Sequence, residues 1–349
     1  MTIGSKPSRK AAFRGPGLLE TIREGLLGRR RPLDCVQVEV SSRCLGRCGY
    51  CPRTVLGADW RSRDMDLAVF QRLWPLMRIS HRVHLQGWGE PLSSPVFFEM
   101  AALARRAGCA VSTTTSGLPM DRDLAWKIVD SGIDIAAFSL AGANAADNDF
   151  FRRGVDFHRV CEAISMLQDV RRARQGVHLE IHIAYLLMAS RLDSVRGLPD
   201  LMRRLGVHAA VVGTLDYLPR PELKSEAIGP ADEGRLAAAA AVLAETAAEA
   251  AALGLDFYYF LPRQGATGTV CHENIRRSLF VSAQGLASPC VYVNLAAPRP
   301  DIRRLVFGDV ADQDPLAIWN SEEYRRFRDR LAAGDPAPVC LDCPKRFID

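Results

Sequence analysis

Val36-Gln37-Val38-Glu39-Val40-Ser41, followed at once by Ser42-Arg43-Cys44-Leu45-Gly46-Arg47-Cys48-Gly49-Tyr50-Cys51-Pro52, sets the architecture of this chain. The first half alternates apolar and polar residues, the two-residue period of a strand with one buried face and one wet face. The second half is a loop carrying three cysteines as CxxxCxxC. Iron–sulfur clusters are held by Cys thiolates, four for a four-iron cube. Three closely spaced cysteines leave one iron without a protein ligand, open to a substrate much as a catalytic zinc keeps one position free. A strand that feeds a reactive loop suits a β/α barrel, whose functional groups lie at the C-terminal ends of its strands.

The rest of the sequence has the same rhythm. Strand-like runs recur at Val83–Gln86, Ala110–Thr115, Ile133–Leu140, His178–Leu187 and His208–Leu215. Helical patterns separate them at Leu67–Met77, Pro95–Ala107, Asp121–Ser131, Phe157–Arg174 and Leu192–Leu205. Such alternation predicts βα units and a parallel sheet: an α/β fold, a partial (β/α)6 TIM-like barrel. In His178-Leu179-Glu180-Ile181-His182-Ile183 the polar residues share one face and the apolar residues the other, as they do in Val36–Ser41. Helices must cover the apolar face, so the polar face is predicted to line a wet or ligand-filled cavity. After an Ala-rich helix at about Ala231–Leu253 the rhythm changes: Phe257–Leu261 reads as a strand, Leu279–Val281 and Cys290–Val293 flank Gly285 like a hairpin, and Pro315–Leu331 contains a short helix. The expected organisation is a basic segment (1–31), a barrel core (32–230), a linking helix (231–254) and a small C-terminal α+β extension (255–349).

The chain has 349 residues, 48% hydrophobic and 24% charged, ordinary for a globular protein. No apolar run approaches the roughly 18 residues needed to span a bilayer, and the N-terminus lacks the apolar core of a secretory signal. The expectation is a cytoplasmic protein with no membrane partner. Residues 1–31 hold eight Lys/Arg against Glu20 and Glu24, a net +6 where the whole chain has +5. The remainder is close to neutral, which argues against a nucleic-acid enzyme with a basic face on its folded body. The basic leader reads as a solvated terminus.

Further segments, in chain order, carry a resemblance to a known family. The CxxxCxxC loop, with Tyr50 before its last cysteine, resembles the signature of the radical S-adenosylmethionine (SAM) superfamily. Gly87-Trp88-Gly89-Glu90-Pro91 resembles the family's GGEP segment, whose backbone and Glu hold the amino group of SAM; Trp88 replaces the first Gly of that pair. Thr115-Ser116-Gly117 takes the place of the family's TNG, and Ser139-Leu140-Ala141-Gly142 resembles SLDG, whose Ser contacts SAM. Arg152 precedes Asp156-Phe157 as the family's Arg precedes G-x-F. The resemblance spans roughly residues 33–215. It implies a [4Fe–4S] cluster on Cys44, Cys48 and Cys51, and a SAM site built from Tyr50, Gly87, Trp88, Gly89, Glu90, Ser116, Ser139 and Arg152. It also implies an electron donor such as flavodoxin or ferredoxin, and cleavage of SAM to a 5′-deoxyadenosyl radical that abstracts hydrogen from a substrate.

Cys271, Cys290 and the CxxC pair Cys340/Cys343 resemble the twitch or shortened SPASM extension of such enzymes, which implies an auxiliary [4Fe–4S] cluster with four protein ligands. Four cysteines with a CxxC suit tetrahedral Zn²⁺ as well, and a non-catalytic zinc protein is the remote alternative. Sulfatase-maturing relatives carry Asp directly after the second auxiliary cysteine; here that residue is Val291. Cys35, Cys109 and Cys161 read as small buried hydrophobes. Asp216, Tyr217, Tyr185 and His182 are candidate catalytic residues at strand ends or on the polar face, and His178, Glu180 and His182 could also ligate a metal from one strand face. The expected activity is a radical SAM oxidoreductase, with small-molecule dehydrogenation ahead of peptide or protein maturation.

Overall fold

The computed structural model describes residues 31–263, 268–299 and 304–348. The basic leader therefore lies outside the described residues except for Arg31, whose guanidinium donates to the carbonyls of Ser80 (2.9 Å) and Gly108 (2.6 Å). Seven parallel strands form the body: β1 (Leu33–Val38), β2 (Ser80–Leu85), β3 (Ala110–Thr115), β4 (Ile135–Leu140), β5 (Glu180–Leu187), β6 (Ala209–Thr214) and β7 (Asp256–Tyr259). They lie in sequence order across the sheet. Parallel neighbours need long crossovers, and helices supply them. Several start where the sequence offers a cap: the side chains of Asp121, Asn144 and Asp156 accept the N–H of Leu124, Asp147 and Arg159.

The strand register sorts the two faces. Val38, Leu85, Thr113, Ala136 and Ile181 stand side by side, as do Gln37, His84, Ser112, Ile135 and Glu180. On the first face Val36, Val38, Val83, Leu85, Val111, Phe138 and Ile183 are fully buried, each worth roughly 1.5–3 kcal/mol when removed from water. On the second, Gln37 donates to Gln86 and His84 Nδ1 meets Ser112 Oγ at 2.9 Å, a hydrogen-bonded polar lining. The polar face predicted from alternation is present.

Three expectations change. The boundary near residue 254 falls inside the sheet, because the helix Glu233–Ala252 is the crossover from β6 to β7 and β7 pairs in parallel with β6. The C-terminal part continues the sheet past its other edge: β8 (Ser278–Val281) pairs in parallel with β1, β9 (Leu286–Ser288) turns back on β8, and β10 (Gly308–Asp309) follows. Gly285 makes the β8–β9 turn with φ +89°, a conformation that only glycine adopts freely. The strand expected at Cys290–Val293 is instead an extended Cys290 and a short 3₁₀ turn. The helix expected at Leu67–Met77 is two pieces, Leu67–Arg72 and Trp74–Arg78, since Pro75 has no N–H to continue the first. Two helices passed unnoticed in the sequence, the short Pro52–Leu56 after the cysteine loop and Ala145–Phe151, which delivers Arg152.

Candidate active site

The cysteine loop leaves the end of β1 and is tied down on two sides. Gly49 and Arg47 donate backbone N–H bonds to the carbonyls of Phe151 (2.8 Å) and Arg153 (2.7 Å). On the other side Glu90 N–H donates to the Arg43 carbonyl at 2.6 Å. Two of the thiols flank Gly46: its N–H donates to Cys44 Sγ at 3.3 Å, and a side chain there would lie 3.5 and 3.8 Å from Cys44 Sγ and Cys48 Sγ. Burial, with neighbouring Cys48 adding to it, pushes the Cys51 thiol up to about 11. Half-buried Tyr50 and buried Arg152 both bond to Cys48. Arg152 is fixed further by the Ser139 carbonyl, while its Nε has no partner among the described residues. A soft sulfur donor set with an adjacent guanidinium fits an anionic iron–sulfur cluster.

The loop after β2 is packed with no room to spare. A Cβ on Gly89 would come within 2.2 Å of the Ser41 carbonyl oxygen, and one on Gly87 within 2.4 Å of Glu39 Cγ. Glu90 is buried, and protein donors occupy both of its oxygens. Oε1 accepts from Leu92 N–H (3.1 Å) and Thr115 Oγ1 (2.7 Å), and Oε2 from Ser116 N–H (2.7 Å) and Ser116 Oγ (2.5 Å). The loops resembling GGEP and TNG are thus brought into contact through this one carboxylate.

Cys271, Cys290, Cys340 and Cys343 gather as a second set. Cys271 senses Cys343 and Cys340, and Cys290 senses Cys271 and Cys343. Burial raises all four thiols, Cys271 to about 12 and Cys343 to about 11. Among the described residues no three His, Cys, Asp or Glu side chains gather as ligands of a single metal ion.

The two sets are joined by Trp88, Asp216 and Tyr217, which the sequence marks, together with Glu39, Tyr292, Glu273 and Lys345, which it does not single out. Buried Glu39 accepts from Trp88 N–H at 2.9 Å and Ala283 N–H at 3.2 Å, linking the loop after β2 to the β8–β9 turn. Trp88 reaches the same extension through Nε1, which donates to the Val291 carbonyl at 3.1 Å. Its ring packs on Tyr217 and Tyr292, with centroids 5.7 and 5.9 Å away. Asp216, beyond β6, forms a buried ion pair with Lys345 at 2.9 Å, and Glu273 lies 3.4 Å from the same ammonium. Lys345 is a long-range partner of both Asp216 and Glu273, and nothing in the pattern around Lys345 or Glu273 marks them out. Glu39 was legible only as one polar residue of an alternating strand.

Two catalytic candidates are placed elsewhere. Tyr185 is buried on the helix-facing side of β5 and bonded to Ser194, because its register puts it with Leu140 and Val212. His182 bonds Glu180 Oε2 at 2.8 Å in the N-terminal half of β5, away from the strand ends that carry the loops. His178 and Glu180 sit more exposed at that same end. Cys109 is buried, as expected, with its thiol against the Met77 carbonyl; Cys35 and Cys161 are only half-buried.

Fold and site together define an iron–sulfur β/α enzyme with a catalytic and an auxiliary cluster region. The sequence matches the family model of the radical SAM superfamily over residues 38–185 and that of the SPASM iron–sulfur cluster-binding domain over 271–344. The chain is a radical SAM enzyme with a SPASM domain; its cofactors are SAM and [4Fe–4S] clusters, which displaces the zinc alternative. It is 26% identical to an AdoMet-dependent heme synthase of Methanosarcina barkeri over 74% of this chain and 76% of that one. It is 25% identical to a PqqA peptide cyclase of Methylorubrum extorquens over 89% and 77%. Among solved structures, anSMEcpe with bound AdoMet superposes with a TM-score of 0.62 at 15% identity, covering 84% of this chain and 82% of that one. Streptococcus suis SuiB bound to S-adenosylmethionine gives 0.63 at 13%, covering 93% and 74%. These likenesses concern the fold. No helix among the described residues is long and apolar enough to cross a membrane.

Proposed function

We propose that this enzyme removes hydrogen from a small-molecule substrate held between the loop after β2 and the C-terminal extension, and that an auxiliary cluster on Cys271, Cys290, Cys340 and Cys343 receives or relays the electron left behind. One observation carries this reading: Trp88 belongs to the SAM-type loop and bonds the residue that follows Cys290. A substrate activated at the first site therefore lies beside the second. With cluster and SAM bound, the cofactors supply one-electron cleavage to a 5′-deoxyadenosyl radical that takes the hydrogen atom.

The protein's own residues do the rest. Cys44, Cys48 and Cys51 are the ligands of the catalytic cluster, and Tyr50 and Arg152 shield and neutralise Cys48. Gly87, Trp88 and Gly89 bring bare backbone to the SAM methionine, with Ser116, Ser139 and Arg152 beside it. Glu90 receives the SAM amino group. The Thr115 and Ser116 hydroxyls that now bond it can rotate away, and two backbone N–H groups keep it aimed. The Trp88, Tyr217 and Tyr292 rings exclude water. Asp216 is the proton acceptor for the substrate, positioned by its ion pair with Lys345 at 2.9 Å. An electron donor of the flavodoxin or ferredoxin type supplies the reductant, and free cysteines throughout the described chain suit the cytoplasm.

The similarity to PqqA peptide cyclases supports a second reading, a peptide substrate. Anaerobic reconstitution tests the common core: about eight irons per chain, release of 5′-deoxyadenosine, and loss of that release on replacing Cys44, Cys48 and Cys51 by Ala. A protein that takes up no iron at this loop sinks the proposal. Untargeted mass spectrometry for a two-hydrogen loss in a metabolite, rather than a peptide, separates the two substrates.

A further inference from the structure

The cysteine loop also presents an outer surface. Leu45 lies between Cys44 and Cys48 and is 81% exposed, an unusual placement for a large apolar side chain in a loop so firmly tied down. Around it stand exposed arginines from three separate segments. Arg43 and Arg47 come from the loop itself, Arg153 follows the helix Ala145–Phe151, and Arg220 follows β6. Arg47 N–H donates to the Arg153 carbonyl at 2.7 Å, and Gly154 lies against the Leu45 and Arg47 backbone. Arg220 Nη2 is 3.8 Å from the place a Cβ on Gly49 would occupy.

Little compensates this charge. Asp64 pairs with Arg43 at 3.3 Å. Asp149 and Asp156 are engaged at a helix start, accepting from Phe157 N–H and Arg159 N–H at 2.9 Å each. Among the described residues no carboxylate forms an ion pair with Arg47, Arg153 or Arg220. The remainder of the chain beyond the leader is close to neutral, so the concentration is local.

We propose that this face is the docking surface for a small acidic one-electron carrier protein, with Leu45 as its apolar centre and Arg43, Arg47, Arg153 and Arg220 as its cationic rim. The proposal rests on the functional reading above, since it assumes that Cys44, Cys48 and Cys51 hold the reducible cluster. An apolar core within a charged rim is the anatomy of a transient protein interface, and a one-sign rim steers an oppositely charged partner at long range. The step is one outer-sphere electron: the carrier is oxidised by one electron, the cluster beneath the loop is reduced by one, and no bond is made or broken.

The test compares two reductants on the reconstituted holoenzyme. Replacing Arg47 and Arg153 by Glu (R47E/R153E) should slow 5′-deoxyadenosine formation about tenfold or more with reduced flavodoxin at low salt, while dithionite-driven formation stays within about twofold. Wild-type turnover with flavodoxin should fall as salt is raised, and the variant should lose that dependence. Equal rates with flavodoxin for wild type and variant overturn the proposal, as does a raised KM for the organic substrate under dithionite, which would make the face a substrate site. Should R47E/R153E lose dithionite activity too, L45A, which keeps every charge, decides: weaker flavodoxin binding by calorimetry supports the surface and unchanged binding refutes it. Wild type that fails even with dithionite refutes the functional reading instead, and calorimetry of flavodoxin on R47E/R153E against wild type still judges the docking surface.

Discussion

Glu39→Gln isolates the carboxylate that links the two cofactor regions. In the folded protein Glu39 is buried, and among the described residues it has no cationic partner and only two backbone N–H groups as compensation. Burial therefore raises its carboxyl from the ordinary 4.5 to about 7, against the opposing pull of the Trp88 and Ala283 N–H groups. The folded state holds the proton more tightly than the unfolded chain. The contribution to stability is complete below pH 4.5, falls as pH rises, and is lost above about 7. The displacement corresponds to about 3 kcal/mol across that window. E39Q has the shape of the neutral acid and nothing to ionise, so its stability should stay flat there. The difference E39Q minus wild type should rise by about 3 kcal/mol between roughly pH 5 and 8, a shift of a few degrees in Tm. Gln also has only one acceptor oxygen for two N–H donors. One of the links, to Trp88 or to Ala283, must therefore weaken, and product formed per SAM cleaved should drop. Anaerobic thermal melts of both proteins across that pH range provide the assay. A stability difference that is independent of pH, or that shrinks as pH rises, would show that Glu39 is not the uncompensated buried acid described above.

Gly89→Ala places a Cβ within 2.2 Å of the Ser41 carbonyl; we expect about 1–3 kcal/mol of strain and weakened SAM binding by calorimetry, with iron content preserved. Trp88→Phe keeps an aromatic ring but removes the bond to Val291; stability should fall by about 1 kcal/mol, and 5′-deoxyadenosine should form with less substrate converted, seen by quantifying both products. Because burial raises the Cys51 and Cys343 thiols to about 11 and Cys271 to about 12, each must shed a proton to take up iron. The initial rate of cluster assembly, followed by absorbance near 400 nm, should climb from roughly pH 6.5 to 8.5; a rate that declines over this range would contradict the buried-thiol picture.

Much of this protein is written in short-range pattern. The spacing of Cys44, Cys48 and Cys51 and the alternation in β1 are local, and local periodicity is what a strand or a cluster loop requires. They were sufficient for the parallel α/β body and the polar face, and they are the ground on which Cys44, Cys48 and Cys51 are proposed as cluster ligands. Cys271, Cys290, Cys340 and Cys343 were legible as a set because cysteine is scarce and chemically specific. Register was not legible. Tyr185 and His182 stood three residues apart in one apparent strand, and only pairing with β4 and β6 put one on the helix-facing side and the other toward the far end.

The tertiary structure alone decided how the extension joins the body. A strand's partner is set by which edge has unpaired backbone groups and by which apolar face needs cover, and neither is encoded in the strand's own residues. That is why β7 and β8 close on opposite edges of the sheet rather than starting a separate unit. The same long-range folding brings Lys345 to Asp216, Ala283 to Glu39 and Val291 to Trp88. Those contacts join residues more than a hundred positions apart, where single-chain pattern carries no signal and only the packed core fixes the distance.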